Sequence, residues 1–371
     1  MTGIKFSKLN IQSQDLHLVK NIIKSGWLTH GKYTNLFEDS FSKFTKSKYC
    51  ITVSSCTAGL HLSCIASGFK QGDEVIVPAM THTATAHAVE YTGAKAVFAD
   101  VEVLTGNLNL ELIKKKITVK TKGIILVHMA GLPCDMAQIV NFCKKKKIKL
   151  LEDCAHALGT KYKGKHVGNF GISGSFSFYP TKQITTGEGG MVITNNKIFY
   201  KKIKKLKAFG IDKDINDRKK QGDYDVKDLG FNFRMTDFQA ALGYKQIISY
   251  KKNLKKRIII AKRYISNFSS SKKVKFTNFS KNNSYFIFQI FIKNRDLLLA
   301  KLKQKNIGVS VHYLNPLPKM TYYKKKYKLK ASNYPKACDY ANTNISLPVY
   351  PLLTLREVDL ISKTIIDITG K

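Results

Sequence analysis

The sequence predicts an α/β fold whose core is a doubly wound, mainly parallel sheet of seven strands flanked by helices. From residue 49 to about residue 194, short apolar runs alternate with segments long enough for crossover helices, which is typical of parallel sheets. The small polar and titratable residues of this region follow the apolar runs directly, where parallel sheets bind ligands. Beyond about residue 250 the alternation restarts on a smaller scale, which predicts a smaller C-terminal α+β domain.

The strands of the predicted sheet are seven short apolar runs. They are Tyr49–Val53, Glu74–Val77, Lys95–Ala99, Gly123–Val127, Lys149–Glu152, Ser175–Phe178 and Met191–Thr194. The last two are expected to pair differently from the others, because a glycine-rich loop follows the first of them and leaves no room for a crossover helix.

A chain of 371 residues with 43% hydrophobic residues can bury a large core, and we expect two domains. Residues 1–250 form the predicted large domain, whose N-terminal segment can also pack on the small domain, residues 251–371. A helix is predicted to begin after Thr236, whose hydroxyl can cap it. The small domain is predicted to hold a long basic helix, strands near Tyr285–Ile292 and Gly308–Tyr313, and a final helix after Thr354.

Composition excludes several classes of protein. No apolar run approaches the roughly 20 residues of a membrane span, and the N-terminus lacks the apolar segment of a signal peptide. The seven cysteines are scattered without the spacing of a metal site, so neither a disulfide framework nor a metal is expected. These features favour a cytoplasmic protein.

The formal net charge of +38 raises the possibility of a nucleic-acid partner. The basic residues are mostly lysine and are spread along the whole chain, whereas arginine, which reads phosphates and bases in a bidentate manner, is scarce. An A/T-biased genome would produce the same composition. The sequence therefore argues against nucleic acid as the main partner and leaves open a positive field that attracts a phosphorylated substrate.

One lysine stands out from the others. Lys182 lies between two apolar, strand-like runs and is flanked by small hydroxyl residues and glycines. Burial of its ammonium lowers the pKa and makes the amine a usable nucleophile for a carbonyl. About 30 residues upstream, the predicted strand Lys149–Glu152 is followed by Asp153 and His156. An amine that can bind an aldehyde and an acid that can bind a pyridinium nitrogen are what a pyridoxal phosphate (PLP) site requires.

A candidate phosphate site follows the first predicted strand. Ser55, Cys56 and Thr57 lie between that strand and a helix of small and apolar residues. Backbone amides at the start of a helix bind anions, and hydroxyls add donors. An ordinary strand-to-helix turn capped by Ser55 or Thr57 is the alternative. The lysine and the acid at equivalent strand ends favour phosphate binding.

The chain resembles the fold-type-I, PLP-dependent sugar aminotransferases of the DegT/DnrJ/EryC1/StrS family. The similarity extends in order over nearly the whole chain. Its motifs are Ser25–Thr29, Val53–Leu60, Gly72–Pro78, Gly93–Asp100, Glu152–His156, Phe176–Gly190, Asn232–Thr236 and His312–Tyr313.

This resemblance implies a role for each residue of the site. Lys182 would bind the cofactor covalently and later move the proton, Asp153 would keep the ring nitrogen protonated, and His156 would lie near the phenolic oxygen. Residues that would contact the phosphate are Cys56, Thr57, Ser177 and, from a partner subunit, Asn232. Residues that would contact the substrate are Thr29, Arg234, His312 and Tyr313. The active sites would then be shared within a homodimer, although Asn232 can also be read as a plain turn residue.

Two residues depart from the family pattern. Cys56 stands where the family usually has glycine, which would crowd the phosphate loop slightly. His82 stands where a phenylalanine or tryptophan usually stacks on the cofactor ring. An imidazole can also stack, and a structural histidine is the alternative.

The expected activity is transfer of an amino group from glutamate to a nucleotide-linked keto sugar, with a 4-keto-6-deoxyhexose favoured, in amino-sugar or cell-surface polysaccharide biosynthesis. The alternatives are a 3-keto sugar, a cyclitol or a keto-octulosonate as the acceptor. A related branch that dehydrates its substrate has histidine in place of the lysine, so Lys182 argues against it. A regulatory or nucleic-acid-binding relative is the non-enzymatic alternative.

Overall fold

The computed structural model describes residues 3–213 and 218–370. Its main sheet has seven strands in the order β1-β9-β8-β5-β4-β2-β3. These strands are β1 (Tyr49–Val53), β2 (Glu74–Pro78), β3 (Lys95–Ala99), β4 (Thr121–Val127), β5 (Lys149–Asp153), β8 (Ser173–Ser177) and β9 (Gly190–Thr194). All seven predicted strands are confirmed, with ends that differ by at most two residues.

Strand β9 runs opposite to the rest of the sheet. It pairs antiparallel with both β1 and β8, whereas the other pairs of neighbouring strands are parallel. The expectation that the last two strands pair differently is therefore confirmed. The registers Val127 with Asp153 and Asp153 with Ser175 align the carboxyl ends of β4, β5 and β8. Side chains that follow these strands are thereby placed at one edge of the sheet.

Seven α-helices belong to the part of the described chain that precedes residue 214. They are α1 (Ser13–Ser25), α2 (Lys32–Thr45), α3 (Cys56–Ala66), α4 (Thr83–Glu90), α5 (Leu110–Lys114), α6 (Met136–Lys146) and α7 (Lys197–Leu206). A two-stranded hairpin, β6 (Lys161–Tyr162) with β7 (Lys165–His166), lies apart from the main sheet. Helix α6 ends in the lysine run 144–147, where cations are favourable at a helix C-terminus.

The C-terminal part is built around a three-stranded antiparallel sheet in the order β10-β11-β12. Its elements are α8 (Asp237–Phe268), β10 (Lys275–Phe276), β11 (Phe288–Phe291), α9 (Arg295–Gln304), α10 (Thr321–Tyr327), α11 (Pro335–Thr343), β12 (Asn344–Leu347) and α12 (Leu355–Thr369). The predicted helix starts at Thr236 and Thr354 are confirmed, and both residues take part in capping boxes.

The strand predicted at Gly308–Tyr313 is wrong. That segment forms only a single bridge, between Ser310 and Ser346, and the third strand is β12 instead. The segment lies beside β12 at Ser346, and at its end the Tyr313 hydroxyl lies 3.3 Å from His156 Nε2, which follows β5 of the main sheet.

The 32-residue helix α8 links the two cores. Its first half packs with Phe37 and Phe178, and its second half packs with Phe288 and Ile345. The division at residues 250 and 251 therefore lies inside one continuous helix, and we retain it as a proposed boundary. Near the N-terminus, Ile4 forms a single parallel β-bridge with Ile307, which follows α9 in the C-terminal part of the chain. Within residues 3–213 and 218–370, no helix is long and apolar enough to cross a membrane.

Candidate active site

The lysine singled out in the sequence lies in the loop after β8. The Lys182 amide donates to the Tyr179 carbonyl at 2.9 Å, which closes a turn and directs the side chain inward. Burial lowers the pKa of the Lys182 amine to about 8, although Asp153 favours its charged form. The Lys182 Nζ lies 4.4 Å from the centre of the Phe286 ring. At pH 7 about a tenth of the amine is therefore neutral and nucleophilic, far more than for an ordinary lysine.

The Asp153 carboxylate is fixed at the end of β5 by donors on both oxygens. Its Oδ2 accepts a hydrogen bond from Thr85 Oγ1 at 2.8 Å, and its Oδ1 accepts one from the Ala155 amide at 3.1 Å. The Cys56 Sγ lies 3.9 Å from Oδ1. Since Asp153, Thr85 and Cys56 are all buried, the carboxylate has one orientation and little contact with water.

His156 is a buried imidazole with one unused nitrogen. Its ring stacks on Phe286 with centroids 4.4 Å apart, and its Nε2 lies 3.3 Å from the Tyr313 hydroxyl. Its Nδ1 is buried and has no hydrogen-bond partner. Burial, with the nearby Lys182 charge, holds the pKa of His156 well below its usual value, so the ring is neutral. A buried polar atom without a partner indicates a place for a ligand group.

The start of helix α3 forms the other end of the site. Ser55 Oγ accepts from the Ala58 amide at 3.0 Å, so the helix begins at Cys56 with the unpaired amides of a first turn. A Cβ atom at Gly190 would lie 2.6 Å from the Cys56 nitrogen, so only glycine lets β9 approach this turn. Ser177, half-buried, follows at the end of β8. This arrangement is suited to a phosphate group.

His82, His312 and Tyr313 lie at the rim of the site. His82 is the N-cap of α4, where its Nδ1 accepts from the Ala84 amide at 3.2 Å, and its ring is 5.8 Å from that of Tyr313. His312 Nδ1 is paired with Ser346 Oγ at 3.0 Å, and burial lowers the pKa of His312 to about 3. The rim is thus made of neutral rings from both parts of the chain.

The comparisons with known proteins agree with this geometry. The sequence model of the DegT/DnrJ/EryC1/StrS aminotransferase family matches residues 9–366. The chain belongs to this family. GDP-perosamine synthase from Escherichia coli O157:H7 is 36% identical over 360 residues, which cover 96% of both chains. The spore coat polysaccharide biosynthesis protein SpsC from Bacillus subtilis is 33% identical over 371 residues, covering 96% of this chain and 95% of that one.

The fold similarity extends over the same length. A chain described as a sugar aminotransferase from Streptococcus pneumoniae, in its PMP form, superimposes with a TM-score of 0.93 at 32% identity, and 99% of each chain is covered. Aminotransferases of this family use PLP, and a PLP form of the same Streptococcus protein is also similar to this chain. The protein is therefore a PLP-dependent transaminase.

The residues of this aminotransferase fit its cofactor. A buried amine of lowered pKa, a fixed carboxylate and a first helical turn closed against Gly190 lie at one edge of the sheet. The free Nδ1 of His156 leaves a polar group to be satisfied inside the same space. These groups supply the amine, the acid and the anion site that PLP needs.

Three predicted site residues have their contacts elsewhere in the chain. Asn232 is exposed and forms a bridge with Ala208, Thr29 is exposed, and the Arg234 guanidinium lies 5.0 Å from the centre of the Phe209 ring. Beside Asn232, Phe231 and Phe233 stack on each other and contact His61 of α3, whereas Leu229 is 89% exposed.

Sequence reasoning missed the roles of Thr85 and Phe286 in the aminotransferase site, and it missed the buried carboxylate of Glu152, which lies beside Asp153 on β5. Thr85 belongs to a run of small residues that looks like an ordinary helix start, and Phe286 lies more than 100 residues after Lys182. Glu152 is an ordinary member of the motif Glu152–His156 in the sequence, yet its carboxylate accepts hydrogen bonds from His128 and from the amides of residues 168, 170 and 171. A signal for Glu152 was present, because a carboxylate inside a strand of a fully buried sheet needs partners.

Proposed function

We propose that this enzyme transfers the amino group of glutamate to a nucleotide-linked keto sugar, with a 4-keto-6-deoxyhexose as the favoured acceptor. The observation that carries the proposal is the convergence of the Lys182 amine, with its pKa of about 8, and the fixed Asp153 carboxylate at one edge of the sheet. The curated relatives support the substrate class. One is named for a GDP-linked sugar, and another is named for polysaccharide biosynthesis.

The two central residues divide the chemistry between them. When bound, PLP supplies an aldehyde for amines and a ring that draws electrons from the reacting carbon. Lys182 provides the amine that anchors the cofactor and, once released, the base that moves the proton between carbons. Asp153 would pair with the ring nitrogen and favour its protonated form, because a carboxylate in a dry site strongly favours a neighbouring positive charge.

The remaining residues orient the cofactor. The amides at Cys56 and Thr57, with the Ser177 hydroxyl, are proposed to hold its phosphate at the start of α3. His156 is proposed to lie near the phenolic oxygen through its unused Nδ1. The imidazole of His82, at the rim, is proposed to cover one face of the ring.

We further propose a homodimer with shared active sites. Asn232, exposed on the surface, would reach the phosphate in the partner subunit, and the neighbouring Leu229, which is 89% exposed, would be covered by the partner. Thr29 and Arg234 would then contact the substrate in the partner's site, whereas His312 and Tyr313 would contact it within the same subunit.

We also propose that the enzyme acts in the cytoplasm. Its seven cysteines are free thiols, the state that reducing compartments maintain.

A panel of acceptors tests the proposal. The purified enzyme is incubated with PLP, glutamate and, in separate reactions, a nucleotide-linked 4-keto-6-deoxyhexose, a nucleotide-linked 3-keto sugar, a keto cyclitol or a keto-octulosonate. Products are identified by mass spectrometry, with Lys182→Ala as the matched control. Amination of a 4-keto sugar by the wild type alone is the expected result. Amination of only 3-keto sugars, a cyclitol or a keto-octulosonate would replace the proposed acceptor. Turnover with none of them would overturn the proposed substrate class.

A further inference from the structure

Two threonine hydroxyls form a short chain behind the Asp153 carboxylate. Thr85 Oγ1 donates to Asp153 Oδ2 at 2.8 Å, and Thr81 Oγ1 lies 2.8 Å from Thr85 Oγ1. Thr81 is 2% exposed, and Thr85 is 0% exposed. Thr85 lies in the first turn of α4, where its amide is bonded to the His82 carbonyl, so the helix start fixes the direction of its side chain.

The direction of this chain follows from counting hydrogens. A threonine hydroxyl has a single hydrogen to donate. Thr85 gives its hydrogen to Asp153, so the contact between the two threonines must use the hydrogen of Thr81. Thr81 therefore donates to Thr85, and Thr85 donates to Asp153. The hydrogen bond from Thr81 polarises the Thr85 hydroxyl and so strengthens its hydrogen bond to Asp153.

The hydroxyl chain leaves the carboxylate one preferred orientation. Oδ2 is held by Thr85, and Oδ1 is held by the Ala155 amide with the Cys56 thiol nearby. Burial raises the pKa of the Cys56 thiol, so the thiol keeps its proton and faces the carboxylate as a neutral group. A hydrogen bond to a charged acceptor in a buried site is stronger than one between neutral groups.

We propose that Thr85, supported by Thr81, is a positioning residue that aims the Asp153 carboxylate at the ring nitrogen of PLP. This inference rests on the proposed role of Asp153. It adds that part of the electron-withdrawing power of the cofactor depends on a hydroxyl that touches neither cofactor nor substrate.

The test compares matched variants of the full-length holoenzyme. Thr85→Val keeps the shape but removes the hydroxyl, Thr85→Ser keeps the hydroxyl, and Thr81→Val removes only the second member of the chain. Thr45→Val is the control, because Thr45 is equally buried and donates to the Phe41 carbonyl at 2.8 Å, outside the site. Asp153→Asn provides the reference for a lost carboxylate.

The first readout is spectroscopic. The visible absorbance of bound PLP is titrated with pH. The midpoint belongs to the nitrogen that links Lys182 to the cofactor, and a positive charge on the ring nitrogen lowers it by repulsion. The groups that face Asp153 are unchanged in the threonine variants, so they do not move the midpoint. These groups are Cys56, His82, Cys154, Lys182 and Tyr313.

The expected result is graded. Thr85→Val shifts the midpoint toward that of Asp153→Asn, Thr81→Val shifts it less, and Thr85→Ser and Thr45→Val match the wild type. In single-turnover reactions with L-glutamate, Thr85→Val slows the reaction roughly tenfold to hundredfold with little change in glutamate affinity.

A Thr85→Val enzyme with the wild-type midpoint, while Asp153→Asn shifts it, would overturn the proposal. Failure of Thr85→Ser to restore the wild-type midpoint would also contradict it, because the hydroxyl would then not be the active feature. A wild-type enzyme that is unreactive toward glutamate would overturn the proposed donor instead, and the spectroscopic comparison would still decide the role of Thr85.

Discussion

The Lys182 ammonium lies 4.4 Å from the centre of the Phe286 ring, and the same ring stacks on His156 with centroids 4.4 Å apart. Phe286 therefore connects the amine to the imidazole from just before β11 of the small domain. Its backbone amide is bonded to the Ala130 carbonyl of the large domain at 3.2 Å, which holds the ring in place. The contact brings the two parts of the chain together at the reacting amine.

Phe286→Leu should lower the pKa of Lys182 below its present value of about 8. The aromatic face favours the ammonium, while leucine keeps the burial that disfavours it, so the loss should amount to about half a unit to one unit. The measurement is the rate of PLP uptake by the apoenzyme against pH, which rises as the amine loses its proton. The midpoint should move to lower pH in the variant.

Phe288→Leu is the matched control for this prediction. Phe288 is as buried as Phe286 but packs on Tyr264 in the small-domain core. The Phe288→Leu variant should be less stable than the wild type but should keep the wild-type midpoint for PLP uptake. A midpoint unchanged in Phe286→Leu would mean that burial alone sets the pKa of Lys182.

Asp153→Asn should still bind PLP but should lose activity by several orders of magnitude. An amide cannot keep the ring nitrogen protonated, and a positioned charge in a dry site is commonly worth several kcal/mol in the transition state. Steady-state kinetics of the reconstituted variant provide the check. A loss of only about tenfold, equivalent to roughly 1.4 kcal/mol, would make the acid structural rather than catalytic.

The sequence predicted the large-domain sheet and the central pair of the site for the same physical reason. Short apolar strands alternate with helices, and Asp153 and Lys182 follow two of these strands, so the parallel topology alone brings their segments to one edge. The reversed β9 was also accessible, because its glycine-rich connection excludes a crossover helix.

Features that depend on contacts between distant segments could not be predicted in this way. The ring of Phe286 reaches Lys182 only because the small domain folds back onto the large one. The sequence around neither residue indicates this contact. In the small domain, Gly308–Tyr313 has the pattern of a strand but pairs through one bridge, whereas the shorter Asn344–Leu347 fills the place beside β11. Pairing partners, rather than local pattern, decided between these two segments.

Glu152→Gln should destabilise the protein by about 2–4 kcal/mol. Burial would raise the pKa of Glu152, but the His128 hydrogen bond and the amides of Gly171 and Gly168 hold it below its usual value. A glutamine side chain would place its NH₂ group, which can only donate, against groups that also donate. Chemical denaturation at pH 7 measures the loss, and Glu111→Gln, an exposed carboxylate paired with Lys114, is the control with little expected effect.

The effect of Glu152→Gln should depend on pH with a definite sign. A carboxylate whose pKa is lowered by folding stabilises the native state above its unfolded pKa, and this stabilisation is lost as the pH falls. The gap in unfolding free energy between wild type and variant should therefore narrow below about pH 4.5, the ordinary pKa of a glutamate side chain. A gap that is constant from pH 7 to pH 3 would show that the ionised form contributes nothing.

Two inactive variants should restore activity when their subunits are mixed. Lys182→Ala removes the amine from its own site, and Asn232→Ala damages the site of the partner if the sites are shared. A mixed dimer then holds one site with both residues intact, and up to about half of the wild-type specific activity per dimer should return. A catalytically competent monomer in sedimentation, or no recovery after verified subunit exchange, would contradict the shared site.

The most direct test of the proposed transamination follows the nitrogen atom. The enzyme is given PLP, [¹⁵N]glutamate and a nucleotide-linked 4-keto-6-deoxyhexose, and the sugar product is analysed by mass spectrometry alongside a Lys182→Ala control. The account predicts an amino sugar that carries the ¹⁵N label from the wild type and none from the variant. An unaminated sugar from the wild type, or labelled product at an undiminished rate from Lys182→Ala, would contradict it.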